Sequence, residues 1–357
     1  MNSVYIEITN VCNLNCSFCP CGKRNSSAPP DSHASTIPPQ NSAPKEPREF
    51  MSSELFERCI AEASTVAENV YFHVLGEPTL HPGFGLFLKK LEATPLKLNL
   101  TTNGTTIART GKQILATPAI RQVNFSTHAY AELPREPALA HLQDVLDFCK
   151  MANAVRPDLY INLRLWNVGD AASQSWNETM LAKVNEAFAE TKDSSSDGTQ
   201  TAPHISLEHF CSRHKSFPLV GRIYLHQDSR FEWPAASSTT ERFPVTSSPT
   251  ERSDGGDPSI TSTNYSVWIP SGQSPSRMTA AGTCHALDTH VAILHDGRVV
   301  ACCLDHSGQI TLGKITDQSL AEILDSPMAT NLREGFKKHE LRHPFCQSCS
   351  FCKRFGK

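Results

Sequence analysis

The sequence predicts an α/β fold in which about six parallel strands form an open, partial (β/α)6 barrel, followed by a small cysteine-rich domain. Short apolar runs of strand length alternate with segments of helical apolar spacing, an alternation typical of parallel βα units. The length of 357 residues suits two domains or one large α/β domain. Because six units are too few for a closed eight-stranded barrel, we expect an open one.

Six apolar runs are predicted to be strands, each followed by a polar or glycine-containing turn. In chain order the predicted strands are 4–8, 70–75, 96–100, 122–127, 160–165 and 222–226. Apolar residues at helical spacing predict the helices between them. The predicted helices are 53–66 with Ser52 or Ser53 as N-cap, 84–93, 112–116, 137–155 and 178–189.

Three stretches are unlike a packed domain. Residues 25–48, 191–203 and 235–280 are rich in Ser, Thr, Pro or other small polar residues and have few apolar ones. Such segments bury too little apolar area to offset the entropy of ordering them, so we interpret them as flexible insertions, with functional lids as the alternative. The resulting domain prediction is a core at 1–234, a linker or insertion at 235–280 and a cysteine-rich domain at 281–357.

Composition and charge narrow the function classes. The first predicted strand begins at Val4, so neither a signal peptide nor an N-terminal recognition domain is expected. No apolar run approaches the roughly 20 residues of a membrane span. We therefore expect a cytoplasmic protein, not bound to membrane, whose 13 cysteines are reduced and mostly bind metal. The net charge of −3 argues against a nucleic-acid substrate.

Three cysteines directly after the first predicted strand form the most specific motif. Cys12, Cys16 and Cys19 have the spacing C-x3-C-x2-C. Iron–sulfur clusters normally take four cysteines, so a loop that offers three leaves one iron open for an exchangeable ligand. A zinc site would favour C-x2-C pairs with four ligands, and disulfides would suit a secreted chain. Neither alternative fits this spacing well.

Further polar residues stand at the ends of the predicted strands, where parallel α/β folds bind ligands. They are Gly76, Glu77 and Pro78 after the second strand, Thr102 and Asn103 after the third, Ser126 on the fourth and Arg164 on the fifth. The first two groups can also be plain turns. An arginine within an apolar strand needs an anion, which is either a ligand or the carboxylate of Glu7 or Glu77. His128 is a candidate substrate contact or a polar rim residue.

A second group of cysteines lies near the C-terminus. Its members are Cys284, Cys302, Cys303, Cys346, Cys349 and Cys352. Between them, residues 292–301 predict a β-hairpin with an Asp-Gly turn, and Ser319 with Glu322 predicts a capping box. This group is interpreted as an iron–sulfur site, with a zinc ribbon as the competing metal site.

The order of these motifs over about residues 1–230 resembles the radical S-adenosylmethionine (radical SAM) enzymes. The resemblance implies that Cys12, Cys16 and Cys19 hold a [4Fe–4S] cluster whose open iron binds SAM. One electron then splits SAM into methionine and a 5′-deoxyadenosyl radical. The resemblance also implies that SAM is contacted by Gly76, Glu77, Pro78, Thr102, Asn103, Ser126 and Arg164.

The C-terminal region resembles the SPASM or twitch-like extension of many radical SAM enzymes, which holds one or two auxiliary [4Fe–4S] clusters. This chain has too few suitably spaced cysteines for two clusters. The resemblance therefore implies one auxiliary cluster bound by Cys284, Cys302, Cys346 and Cys349. Cys303 and Cys352 are possible substitutes among the ligands.

The functional expectation is a radical SAM enzyme, either of oxidoreductase type or a peptide- or protein-modifying maturase. By resemblance, its radical abstracts hydrogen from a peptide or protein, and flavodoxin or ferredoxin supplies electrons. One alternative is a radical SAM enzyme that acts on RNA or a small metabolite. The other is a non-catalytic iron–sulfur or zinc-binding protein.

Overall fold

The computed structural model describes residues 1–21, 49–189, 205, 216–228, 232–234, 280–352 and 355. The predicted insertions at 25–48 and 191–203 lie outside the described residues, as does the segment 235–280 except for its last residue.

The strands are short, and in some of them, such as Ser3–Ile6 and Tyr160–Leu165, buried residues alternate with partly buried ones. They are β1 Ser3–Ile6, β2 Asn69–Tyr71, β3 Lys97–Thr102, β4 Ile120–Phe125, β5 Tyr160–Leu165, β6 Ser216–Val220, β7 Ile223–Gln227, β8 Ala280–Ala281, β9 His290–Ile293, β10 Arg298–Val300, β11 Thr311–Lys314 and β12 Glu340–Leu341. The helices are α1 Ser53–Val66, α2 Phe84–Glu92, α3 Ile107–Leu115, α4 Arg135–Val155, α5 Gln174–Phe188, α6 Leu320–Leu324, α7 Pro327–Lys337 and α8 Pro344–Ser348.

One ten-stranded sheet organises the described residues, in the order β11-β10-β9-β1-β2-β3-β4-β5-β7-β6. The six predicted strands correspond to β1 to β5 and β7, and each pairs in parallel with its neighbour. The predicted fold class, an α/β fold with an open parallel sheet, is therefore confirmed. Strand β6 pairs with β7 in antiparallel orientation and is the edge strand at one side of the sheet.

The C-terminal hairpin is part of this sheet. The hairpin β9–β10 forms as predicted, with Gly297 at φ +87 in its turn. In addition, β9 pairs in parallel with β1, with Ser3 opposite His290 and Ile6 opposite Ile293. The polypeptide that carries the second cysteine group thus continues the sheet directly beside the strand that carries the first.

Several element boundaries differ from the prediction, and one strand was not predicted. Strand β2 ends at Tyr71, four residues earlier than expected, and beyond it the backbone N–H of Leu75 donates to Glu7 Oε1 (2.9 Å). Helix α3 begins five residues earlier than expected, after the turn at Gly104. Strand β6 was not predicted because Pro218 is a strand breaker, although an edge strand tolerates it.

The helices and the sheet enclose an apolar core. In α1, Ser52 is the N-cap and its side chain accepts from the N–H of Leu55 (3.2 Å). Phe56 of this helix stacks on Phe87 of α2 with ring centroids 4.0 Å apart. At the C-terminal end, the predicted capping box of Ser319 and Glu322 is formed at the start of α6. None of the described helices combines the length and apolar character that crossing a membrane requires.

Candidate active site

A cavity of about 410 Å³ lies where the parallel strands end. Residues at or beyond the ends of β1 to β5 contribute to its wall, among them Cys12, Gly76, Thr101, Ser126 and Arg164. Cysteines of the C-terminal group form the facing wall. A single cavity therefore joins the two cysteine groups that the sequence predicted as separate cluster sites.

Hydrogen bonds from three loops hold the N-terminal cysteine loop. The thiol of Cys12 accepts the N–H of Leu14 (3.5 Å) and lies 3.8 Å from Nδ2 of Asn103. Further along, the N–H and hydroxyl of Ser17 donate to the two carboxylate oxygens of Glu132, at 2.6 and 2.9 Å. These contacts fix the loop before any cluster is bound.

Glu77 supports the loop from behind the cavity wall. Its side chain is 1 % exposed. Its carboxylate accepts from the N–H and hydroxyl of Thr79, from Thr102 Oγ1 (2.7 Å) and from the N–H of Asn103 (2.6 Å). Burial raises the pKa of this carboxyl, and the four donors oppose that shift. The carboxylate thus holds the Thr-Asn-Gly turn, while the N–H of Glu77 donates to the carbonyl of Val11 (2.8 Å).

Gly76 brings two loops into contact at the cavity. Its φ is +74, and a Cβ at this position would overlap the carbonyl oxygen of Thr9. Only glycine therefore allows the backbone after β2 to approach the segment that leads into the cysteine loop. Gly76 lines the cavity, and the next residue but one, Pro78, is buried in a short 3-10 helix.

Arg164 is a half-buried cation whose side chain lacks an anionic partner within the described residues. Its Nε is buried without a hydrogen-bond acceptor there, and its guanidinium lies 4.6 Å from the centre of the Trp166 ring. Burial lowers its pKa to about 10, while Tyr5 and Tyr71 act in the opposite direction. The carboxylates considered as structural partners are engaged elsewhere, Glu7 with His295 (2.7 Å) and Glu77 as described above.

The remaining predicted positions fall into two groups. Ser126 lines the cavity and its N–H donates to the carbonyl of Thr102 (2.9 Å). Thr102 and Asn103 are buried behind the wall, where Tyr130 donates to the carbonyl of Asn103 (2.5 Å). His128 lines the cavity and packs parallel to the Trp166 ring.

The C-terminal cysteines form a partly buried group on the facing wall, in which Cys349 and Cys352 are the most enclosed. Burial raises the pKa of Cys302 and Cys346 well above the usual thiol value, and Cys284 is close enough to raise both further. Cys352 donates its S–H to the carbonyl of Cys349 (2.9 Å). Buried thiols ionise only when a cation offsets the loss of solvation, as a coordinated metal does.

Both groups fit iron–sulfur clusters. The described cysteines are free thiols without disulfides. Over the same residues, no three Cys, His, Asp or Glu side chains converge on a point that a single metal ion would occupy. The thiols instead border a shared cavity, and the guanidinium of Arg164 lies in the wall of the same cavity.

Sequence reasoning missed the aromatic wall of the cavity. Tyr5 and Tyr71 are opposite each other on β1 and β2 and stack with ring centroids 4.4 Å apart. Tyr5 alternates with the buried Val4 and Ile6, so the period of two along the strand places it on the other face of the sheet. That alternation was the available signal.

Comparison with known proteins gives two family matches. Residues 6–164 match the radical SAM superfamily, and residues 284–353 match SPASM, an iron–sulfur cluster-binding domain. No curated protein is significantly similar to this chain.

Solved structures that match this chain include three radical SAM enzymes. SuiB from Streptococcus suis is 14% identical, with 93% of this chain and 67% of that chain covered and a TM-score of 0.50. An anSMEcpe structure with bound AdoMet is 14% identical, covers 93% and 83% of the two chains and has a TM-score of 0.46. BtrN in complex with AdoMet and 2-DOIA is 12% identical, covers 98% and 92%, and has a TM-score of 0.42.

At 14% identity the SuiB structure shows the fold alone, and the family matches carry the assignment. The matched segments contain the two cysteine groups that meet at the cavity. The chain is therefore a radical SAM enzyme that uses SAM and a [4Fe–4S] cluster and carries a C-terminal SPASM domain with an auxiliary cluster.

Proposed function

We propose that this enzyme abstracts a hydrogen atom from a peptide or protein substrate held between its two cysteine groups. The observation that carries the proposal is the single cavity of about 410 Å³ bordered by both groups. When bound, the N-terminal cluster and SAM supply the 5′-deoxyadenosyl radical. The residues of the chain bind and orient the reactants and limit the access of water.

The N-terminal side of the cavity has the residues for binding SAM. In this proposal Cys12, Cys16 and Cys19 hold the cluster, and Arg164 binds the SAM carboxylate, since its Nε has no acceptor among the described residues. Because four protein donors engage Glu77, the glycine-glutamate segment contributes backbone groups near Gly76 instead of a carboxylate. Ser126 binds SAM directly.

The other predicted residues on this side act as supports. Pro78, Thr102 and Asn103 position the loops that carry the ligating and SAM-binding groups. Asn103 links two of those loops, because its Nδ2 donates to Asn13 Oδ1 (2.9 Å) beside Cys12.

The C-terminal side holds the auxiliary cluster in this proposal. Cys284, Cys302, Cys346 and Cys349 are its ligands, and Cys352 is the substitute. A flavodoxin or ferredoxin supplies the electrons. The free cysteines of the described residues support a reducing, cytoplasmic location.

The cavity lining favours a peptide over RNA. Aromatic side chains including Phe18, Trp166 and Trp233 contribute to the wall, and such rings suit apolar side chains of a substrate. Arg164 is the one Lys or Arg among the described lining residues, whereas nucleic-acid sites use a basic stripe. A small metabolite is the second candidate, because a cavity of this volume is also typical of small-molecule sites.

Radical generation is tested by 5′-deoxyadenosine formation. The protein is reconstituted anaerobically with iron and sulfide, reduced and given SAM. Formation of 5′-deoxyadenosine that is lost in Cys16→Ala is the expected result. An iron-loaded wild-type protein that forms none, with or without a cell extract as substrate source, would contradict the proposal.

The substrate class is tested by what stimulates that reaction. We expect a cell extract to increase 5′-deoxyadenosine formation and protease treatment of the extract to remove the increase. Loss of the increase after nuclease treatment would indicate RNA. Its recovery in a fraction that passes a small-molecule filter and resists protease would indicate a metabolite.

A further inference from the structure

Cys303 has different surroundings from the cysteine next to it. Cys302 lies close to Cys284 and Cys346 of the auxiliary group. Cys303 packs instead within a small apolar cluster on the cavity side of the sheet, made of Val74, Ala292, Leu294, Val300 and Tyr5. Tyr5, Ala292 and Val300 are opposite one another on adjacent strands, so they share one face. Both cysteines lie near the auxiliary group, since Cys303 interacts with Cys284 and Cys349, but of the two only Cys303 packs against this apolar cluster.

The thiol of Cys303 has a specific partner in the cavity wall. The hydroxyl of Tyr5 donates a hydrogen bond to the Cys303 sulfur. Tyr5 is held in place because its ring stacks on Tyr71, at an angle of 9° between the planes, and meets His73 edge-on at 5.5 Å. The sulfur therefore has a fixed position at the surface of the cavity.

The same wall contains a polar group that the described protein leaves unsatisfied. His73 lines the cavity, and its Nδ1 is buried without a hydrogen-bond partner among the described residues. Burial and the nearby Arg164 lower the pKa of His73 to about 3, so its ring is neutral. A buried neutral nitrogen without a partner indicates a ligand group at this point of the cavity. Cys303, Tyr5 and His73 are thus adjacent parts of one site.

We propose that Cys303 donates a hydrogen atom to the substrate in this cavity and is not a ligand of the auxiliary cluster. This inference rests on the proposed function, which supplies a carbon-centred substrate radical in the same cavity. The reaction class is one in which a substrate C–H bond is broken and remade.

The step balances in atoms and electrons. The S–H bond of Cys303 breaks homolytically, its hydrogen atom forms the new C–H bond, and the sulfur becomes a thiyl radical. Transfer in this direction is favourable because an S–H bond is weaker than an aliphatic C–H bond. The thiyl then takes one electron from the external low-potential donor of flavodoxin or ferredoxin class and one proton from water, which restores the thiol.

The surroundings of Cys303 suit this role. The Tyr5 hydroxyl donates to the sulfur and so holds it beside the cavity. Cys284 and Cys349 are close enough for electrostatic interaction with Cys303. The electron-accepting sulfur thus lies beside the auxiliary group, and five other cysteines remain there for cluster binding.

The first test measures deuterium without a known substrate. Reconstituted, reduced protein is given SAM alone in D2O, where every thiol carries deuterium. The radical then takes its atom from the nearest weak bond, so we expect 5′-deoxyadenosine that contains one deuterium. The label should be lost in Cys303→Ala and kept in Tyr5→Phe and in Cys149→Ala, which removes a buried thiol outside the cavity.

The outcomes separate this inference from the proposed function. If no 5′-deoxyadenosine forms, the proposed function fails and this inference fails with it. If it forms without deuterium, or keeps its label in Cys303→Ala, the inference alone is overturned. Label lost in Tyr5→Phe but kept in Cys303→Ala would assign the donor to Tyr5.

A second readout is independent of SAM cleavage. Reconstituted wild-type protein is treated with iodoacetamide, and modified cysteines are identified by peptide mass spectrometry. We expect protection of the cluster-bound cysteines, slow alkylation at Cys303 because burial raises the pKa of its thiol, and an unchanged iron content in Cys303→Ala. Loss of one cluster's iron in Cys303→Ala would show that Cys303 is a ligand and would overturn the inference.

Discussion

The two cysteine groups face the same cavity but are held by different forces. The loop of Cys12, Cys16 and Cys19 is fixed mainly by polar contacts, with Glu77, Asn103 and Glu132 as the principal partners. The C-terminal group is packed among buried apolar side chains such as Leu341 and Phe345. A loop that must leave one iron accessible cannot be covered by apolar side chains, so directional hydrogen bonds position it instead. An enclosed cluster site has no such restriction.

The largest expected effect comes from Gly76. In Gly76→Ala the new Cβ would overlap the Thr9 carbonyl in a backbone conformation with φ +74, so we expect a loss of about 4 kcal/mol or more in unfolding free energy. Gly169→Ala is the control, because Gly169 has φ +92 but an open surrounding, and it should cost about 1 kcal/mol. Urea denaturation measures both. Equal effects would show that the loop contact at Gly76 is unimportant.

Glu77 tests how much the polar support of the N-terminal loop contributes. In Glu77→Gln, the new amide nitrogen faces backbone and hydroxyl groups whose hydrogen bonds the carboxylate accepted. We therefore expect the unfolding free energy to fall by about 3 kcal/mol. The matched change in the C-terminal region is Glu322→Gln, at an exposed capping box, and it should have a much smaller effect. Similar shifts of the urea midpoint would contradict the contrast between the two regions.

Arg164 separates ligand binding from stability. We expect Arg164→Gln to raise the Kd for SAM about ten- to a hundredfold, since a charge-assisted contact to the SAM carboxylate is lost. The unfolding free energy should stay the same or rise, because an unpaired buried charge is removed. Arg121→Gln, at an exposed position on β4, is the control for both measurements. A strongly destabilised Arg164→Gln with normal SAM affinity would make Arg164 structural.

The smallest effect concerns the ion pair that joins the two regions. Burial lowers the pKa of His295, but Glu7, Asp296 and Glu49 outweigh it, so the pKa is raised overall. A group whose pKa is raised by folding stabilises the folded protein fully at pH values below its pKa in the unfolded chain, which is about 6.5 for histidine. This stabilisation is lost as the pH rises through the pKa of the group in the folded protein.

His295→Gln should therefore be less stable than wild type, by up to about 1 kcal/mol near pH 6, with a difference that shrinks at higher pH. Urea unfolding of both proteins across the pH range measures this difference. A difference that grows with pH would contradict the assignment.

The sequence predicted the features that depend on local pattern. Apolar alternation is local, so the six parallel strands and their order could be predicted, as could the β9–β10 hairpin and the capping box at Ser319. The pairing of β9 with β1 could not, because it joins residues at opposite ends of the chain. Similarly, motif position suggested that Glu77 contacts a ligand, but only the structure shows that its carboxylate is engaged by Thr79, Thr102 and Asn103.

The pairing of Ser3 with His290 has a consequence for synthesis on the ribosome. Strand β1 is made first, yet one of its two hydrogen-bonding edges has no partner until almost the whole chain has been translated. Contacts between such distant residues slow folding, and an open strand edge favours association with other chains. The N-terminal cysteine loop thus emerges long before its sheet is complete. Until β9 has been made, the strand beside that loop therefore keeps an open edge.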